Sequence, residues 1–198
     1  MVNSRKMVLA TLFALVFVVG IFSTSTFEAS AAAVTFHVLP QRGNVNRNVN
    51  INGAGWVPLA TITVKFGAKV VATETADSTG AWSGSFKVPQ ATAGAHMVTA
   101  TDGTNTLSHT FTVVPHLTVK PKKGAVGGII NLLGTGFAPS VTVKVTFNGV
   151  LVKSLTTNST GGFPANTTFK VPNDTPAAYP VVAKDAKGNM ANATFTIT

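Results

Sequence analysis

The chain repeats itself, and a unit that recurs at a fixed spacing must fold into a module small enough to be built twice. Pro40-Gln41-Arg42-Gly43 returns as Pro121-Lys122-Lys123-Gly124, and Gly53-Ala54-Gly55-Trp56-Val57-Pro58 returns as Gly134-Thr135-Gly136-Phe137-Ala138-Pro139. Phe66 matches Phe147, and Ser78-Thr79-Gly80-Ala81-Trp82 matches Ser159-Thr160-Gly161-Gly162-Phe163, all at one offset of 81. Phe86-Lys87-Val88-Pro89 then recurs as Phe169-Lys170-Val171-Pro172 at 83, and Phe111-Thr112-Val113 as Phe195-Thr196-Ile197 at 84. Two small insertions therefore separate otherwise aligned units. Such a repeat sets the domain boundary near Val114-Pro115. The expected units are 34–114 and 115–198, with a short linker whose proline restricts the hinge.

Within each unit the periodicity is two, the mark of half-buried strands. Ile62, Val64 and Phe66 alternate with Thr61, Thr63 and Lys65, and Val143, Val145 and Phe147 alternate with Thr142, Lys144 and Thr146. Turn signals at Asp77-Ser78-Thr79-Gly80, Asp102-Gly103 and Lys187-Gly188-Asn189 punctuate the runs. No segment after the first thirty-odd residues has helical spacing. Short alternating strands at this spacing predict an all-β chain of two tandem β-sandwiches, each of roughly seven strands. Cores this small oppose a large backbone entropy, so contact between the units, at Ala/Gly-rich positions beside the linker, is expected to add stability.

The first residues read differently. Arg5 and Lys6 precede an apolar run from Met7 to Phe22, and a Ser/Thr stretch leads into Ala29-Ser30-Ala31-Ala32-Ala33. A basic start, a short apolar core and an A-x-A site describe a secretory signal peptide over 1–33, cut after Ala31 or Ala33. The alternative is an uncleaved N-terminal anchor, for which the run falls short of the ~20 apolar residues that a spanning helix needs. A secreted or cell-surface location follows, with membrane contact only through an uncleaved leader. Export leaves nucleic acid no role as a partner. The chain has no cysteine, which removes disulfides, thiolate metal sites and lipid attachment through Cys.

The first half of each unit resembles the IPT/TIG class of immunoglobulin-like domains. The second unit carries the better match, in Pro121, Gly124, Gly127-Gly128, Gly134, Gly136-Phe137 and Val141 to Gly149. The first departs from the pattern, with Asn46 and Arg47 in place of the paired glycines. The back half is similar to Ig-like repeats of prokaryotic surface and secreted proteins. The resemblance implies two tandem immunoglobulin-like β-sandwiches, acting as a structural or binding module such as an envelope component or adhesin. Such domains serve many purposes, so fold alone does not choose among them. Two other roles are a surface-fibre subunit assembled by edge-strand pairing, with Ala191–Thr198 as a strand open to donation, and an accessory protein for polysaccharide or wall polymer. The partners implied are an extracellular protein, a glycan, a wall polymer, or further copies of the chain.

Chemistry has little to work with, so no enzyme is expected, and no cofactor. Asp102 and Asp185 occupy equivalent positions in the last hairpin turn, where Asp stabilises turns through its own side chain. Asp77 is replaced by Asn158 in the second unit, so that corner does not need a carboxylate. His96 and His109 would lie on neighbouring strands and could begin a metal site, but no third ligand is near in the pattern and their counterparts are Tyr179 and Ala193. Asp185-Ala186-Lys187-Gly188-Asn189 has too little negative charge for calcium. Trp82 falls in phase with Phe86 and Val88 and is expected in the core, which leaves no obvious aromatic platform for sugars.

Two asymmetries distinguish the second unit. Four N-x-S/T sequons begin at Asn158, Asn166, Asn173 and Asn192, all in this unit. They are candidate N-glycosylation sites, with Asn166 and Asn192 placed facing solvent by strand phase and Asn158 and Asn173 placed in turns. Charge is uneven too. Residues 34–114 carry 5 basic and 3 acidic groups, whereas 115–198 carry 8 and 2. The basic residues are mostly single, as on a solvated face, although a basic exported domain also suits acidic glycans or wall polymers.

Overall fold

The computed structural model describes residues 33–198. The expected leader lies outside them, apart from Ala33. In the first repeat, β1 (Thr35–Leu39), β2 (Arg42–Gly43), β3 (Asn48–Ala54) and β4 (Thr61–Phe66) are followed by β5 (Lys69–Thr75), β6 (Trp82–Lys87), β7 (Gly94–Thr101) and β8 (Thr106–Val113). They form a three-stranded sheet, β1-β3-β6, and a five-stranded sheet, β2-β8-β7-β4-β5. Neighbours are antiparallel except β2, which runs parallel to β8.

The second repeat has the same strands in the same order: β9 (His116–Lys120), β10 (Lys123–Gly124), β11 (Ile129–Thr135), β12 (Thr142–Phe147), β13 (Val150–Thr156), β14 (Thr168–Lys170), β15 (Ala178–Asp185) and β16 (Met190–Ile197). Their sheets are β14-β11-β9 and β10-β16-β15-β12-β13. Each repeat is an immunoglobulin-like sandwich, in which the chain crosses between the two sheets several times, with the last hairpin in the five-stranded sheet. The final strand β16 (Met190–Ile197) pairs with β15 along its length and with β10 only over Thr196–Ile197. The expectation of an open strand over Ala191–Thr198 is thus corrected only at Thr196–Ile197, where β10 covers the edge.

Alternation puts the cores where the pattern predicts. Ile62, Val64 and Phe66 of β4 are buried, as are Val143, Val145 and Phe147 of β12. The buried residues form two separate clusters, one from Phe36 to Val113 and one from Leu117 to Ile197. An aromatic trio anchors each cluster in the same way. Phe66 meets Phe86 and Phe111 edge-on at 6.3 and 6.0 Å, and Phe147 meets Phe169 and Phe195 at 6.1 and 6.2 Å.

The repeats touch close to the linker. The Ala93 N–H donates to the Phe137 carbonyl at 3.1 Å. Gly136 has φ +69°, and a Cβ there would sit 2.8 Å from the Val114 carbonyl oxygen. Glycine is thus required twice over at this position, by backbone angle and by space.

Both insertions have structural addresses. One lengthens the β15–β16 turn, from Asp102–Asn105 in the first repeat to Asp185–Asn189 in the second. The other falls between Phe163 and Phe169, where five residues replace the three that separate Trp82 from Phe86. In the first repeat β6 pairs with β3 along its whole length, from Trp82–Gly53 to Lys87–Asn48. In the second, β14 pairs with β11 only over Thr168–Lys170. Phe163 N–H donates to Gly134 at 2.9 Å and Leu132 N–H to Thr167 at 2.8 Å, so the chain bulges out over Pro164, Ala165 and Asn166 between two anchored points. Proline has no N–H for a ladder and favours this departure. The Thr167 hydroxyl donates to the Pro164 carbonyl at 2.8 Å and closes the bulge.

Candidate binding groove

The carboxylates are used for holding loops. Asp77 Oδ1 accepts from the Thr79 N–H and hydroxyl, both at 2.7 Å, and from Ala81 N–H at 3.0 Å. These bonds, that of the Thr79 hydroxyl foremost, keep its pKa below the ordinary carboxylate value. Asn158 Oδ1 accepts the matching three bonds from Thr160 and Gly162 at 2.9–3.0 Å, so the corner needs an oxygen and not a charge.

Asp102 and Asp185 serve their hairpin turns as expected, and each also reaches another loop. Asp102 Oδ2 accepts the Val57 N–H at 3.0 Å, and Asp185 Oδ2 accepts the Ala138 N–H at 2.9 Å. Partial burial works to raise the Asp102 pKa, but the N–H groups of Asn105, Val57 and Thr104 and the Asn105 amide together outweigh it and hold it at about 2. Asp185 is lowered through the same balance, burial against donors from Ala138, Asn189 and Lys187. A carboxylate held ionised by donors on every side is poorly suited to moving a proton.

The histidines lie on adjacent strands, as the hairpin predicts, with His109 opposite Val98 and His96 opposite Phe111. Each ring is committed separately. His96 Nε2 meets the Thr92 carbonyl at 2.8 Å and its ring stacks on Phe66 at 5.1 Å. His109 Nε2 meets the Phe36 carbonyl at 2.6 Å. A carbonyl only accepts, so each Nε2 carries its proton and offers no lone pair to a metal. Among the described residues no three His, Cys, Asp or Glu side chains gather.

Both tryptophans are buried, Trp82 as its phase predicts and Trp56 beside the Gly-x-Gly corner. They meet edge to face at 5.8 Å. The Trp56 indole donates to the Thr35 carbonyl at 2.6 Å, whereas the Trp82 indole N–H is buried without a partner.

The bulge in the second repeat opens a groove of about 450 Å³. β11 from Asn131 to Thr135, the bulge and the Asn158–Gly162 corner line it, and Gln90 of the first repeat reaches it. No charged side chain lines it. Its polar side chains are the amides of Gln90, Asn131, Asn158 and Asn166 and the hydroxyls of Thr135, Thr160 and Thr167, with exposed Leu133 and half-buried Phe163 beside them. Phe163 is backed by Phe137, stacked at 5.2 Å. Such a surface suits a ligand rich in hydroxyls and free of charge. The sequence carries one sign of it, the change of offset from 81 to 83.

All four sequon asparagines are exposed. Asn158 and Asn173 lie outside strands and Asn192 lies in β16 facing solvent, as expected. Asn166 differs from expectation in one respect. It is exposed as expected, yet it sits in the bulge with φ +59° and not in a strand, because the insertion interrupts the ladder.

No protein-family model matches the chain, IPT/TIG included, and no curated protein matches it. Solved structures do match. The chain is similar to the Yersinia pseudotuberculosis adhesin InvE at 13% identity and a TM-score of 0.38, over 83% of this chain and 58% of that one. It is similar to invasin, a bacterial integrin-binding protein, at 15% identity and 0.39, over 84% and 39%. A third is SGBP-B of the Bacteroides ovatus mixed-linkage glucan utilization locus, solved with a mixed-linkage heptasaccharide, at 12% and 0.37 over 80% and 43%. The chain thus spans little more than half the length of the first and less than half of the other two.

Proposed function

We propose that the chain works outside the cytoplasm, secreted or at the cell surface, as a non-catalytic binding module of the adhesin or envelope type. Its sandwiches, 34–114 and 115–198, form the scaffold, and the groove of the second repeat takes the ligand. One observation carries this reading: the two-residue insertion opens an uncharged, amide- and hydroxyl-lined groove at the place where the first repeat keeps β6 paired with β3 along its whole length. Amides offer a donor and an acceptor side by side, which pairs with vicinal sugar hydroxyls, and Leu133 and Phe163 give the C–H face of a ring something apolar to rest on. The ligand class that fits is a neutral oligosaccharide.

Calorimetric titration of the mature chain with glucan, mannan and xylan fragments tests this, beside a variant lacking Ala165 and Asn166 and a second variant, Asn131→Ala. The expected result is binding of at least one sugar, lost or weakened in both variants while circular dichroism and melting stay unchanged. Absence of binding at millimolar sugar, or equal affinity in folded variants, overturns it. Cell fractionation with N-terminal sequencing tests the location, and a cytoplasmic protein with an intact leader would defeat that part.

A second reading rests on the exposure of all four sequons. The second repeat would carry N-linked glycans at Asn158, Asn166, Asn173 and Asn192. Asn158 and Asn166 line the groove, so their modification and ligand binding exclude each other there. Peptide mass mapping of protein from its native source distinguishes the two.

A further inference from the structure

The outer face of the five-stranded sheet in the second repeat carries an arrangement that the repeat pattern does not require. Lys144 of β12 and Lys184 of β15 are direct cross-strand partners. Both are exposed, and the residues beyond them in the same row are Ser154 and Met190. In the first repeat the row reads Thr73, Thr63, Thr101 and Thr106, so the two lysines replace Thr63 and Thr101. Like charges placed directly opposite on a sheet repel and destabilise the pairing, whereas threonines there favour it. The second repeat has two acidic residues with which to relieve the repulsion. Asp185 is buried and its carboxylate is taken up by Ala138, Lys187 and Asn189. Asp174 precedes β15, at the end of the strand remote from Lys184, roughly 20 Å along it.

The two lysines, with Thr142, Thr146, Val182, Asp185 and Ala186, line a shallow concavity of about 470 Å³, in which the Asp185 carboxylate is already engaged by Ala138, Lys187 and Asn189. Two ammonium groups flanked by hydroxyls make a site for oxyanions, and the repulsion between the lysines is relieved when an anion lies between them. We propose that this face binds an acidic extracellular polymer, whose carboxylate or phosphate groups bridge Lys144 and Lys184. The inference rests on the surface-binding reading. It uses a different sheet from the groove, and its ligand is charged where that of the groove is neutral, so either can fail without the other.

The test is binding of the mature chain to immobilised polygalacturonate and to immobilised polyphosphate, with uncharged dextran as control, compared with K144T/K184T, which restores the residues of the first repeat. Expected is retention on one or both polyanions, weakened by salt, and a loss of about tenfold in the double variant. The variant is also expected to melt no lower than the parent, because the repulsion is gone. Retention on polygalacturonate alone assigns carboxylates, and on polyphosphate alone phosphates. Equal retention by parent and variant overturns the proposal. So does binding to neither polymer, including the case in which anionic phosphatidylglycerol vesicles alone are bound.

Discussion

The carboxylate of Asp102 accepts the backbone N–H of Val57, 45 residues earlier in the chain, at 3.0 Å. Asp185 does the same to Ala138 across 47 residues, at 2.9 Å. One side chain therefore shapes the last hairpin turn and ties it to the loop that leaves the opposite sheet. The link is made at the same end of both sandwiches, and it is the polar counterpart of the aromatic trio in each core.

Removing that link should cost more than a surface turn normally does. Asp102→Ala frees Val57 N–H and the turn donors together, and hydrogen bonds to a charged acceptor contribute about 1.5–3 kcal/mol when well formed. A half-buried site falls toward the lower end, so Asp102→Ala is expected to cost about 2 kcal/mol. Asp185→Ala, at a buried position, is expected to cost about 3 kcal/mol. Asp102→Asn keeps one acceptor oxygen and should lose less than either. Urea unfolding midpoints at neutral pH give the ranking, and equal costs for all three would show that the tie to the distant loop is unimportant.

Acid should dissolve these ties in a defined window. Asp102 is held at about 2 in the fold, below the ordinary value of 3.8, and Asp77 and Asp185 are shifted in the same direction. The folded state prefers the ionised form of each, so their stabilisation is complete above about pH 4 and is lost as pH falls through the folded values. The melting temperature should therefore decline steeply between about pH 4 and pH 2. Asp102→Asn should show a shallower decline from a lower start, and a parallel slope would refute the assignment.

How much of this was legible in the sequence depended on range. The cores followed from strict alternation, because Ile62, Val64 and Phe66 occupy one phase and each phase has one face. The turn role of Asp102 was legible because its partners lie within three residues, but the bond to Val57 depends on how two distant loops converge. Asn166 faces solvent as its phase predicts, but it lies in a bulge and not in a strand, because the two-residue insertion interrupts the ladder there. Pro164, unable to donate in a ladder, was the warning. The opposition of Lys144 and Lys184 required the register of two strands 40 residues apart, which no local pattern supplies. The IPT/TIG likeness pointed to the right architecture and to no site.

The tryptophan pair offers a sharper comparison, since the second repeat has already replaced both members by Phe137 and Phe163. Trp56 and Trp82 are equally buried and touch each other, yet only Trp56 has a partner for its N–H. An unsatisfied buried donor costs about 1–3 kcal/mol, and Trp82→Phe removes that cost while giving up part of the ring contact. The two effects oppose, so Trp82→Phe should change stability by less than about 1 kcal/mol. Trp56→Phe loses ring contact and the bond to Thr35 together, with nothing to offset them, and should cost about 2 kcal/mol. Thermal unfolding of the two variants decides the matter: the order must be Trp56→Phe below Trp82→Phe, and the reverse order would mean that the Trp82 indole is hydrogen-bonded in solution.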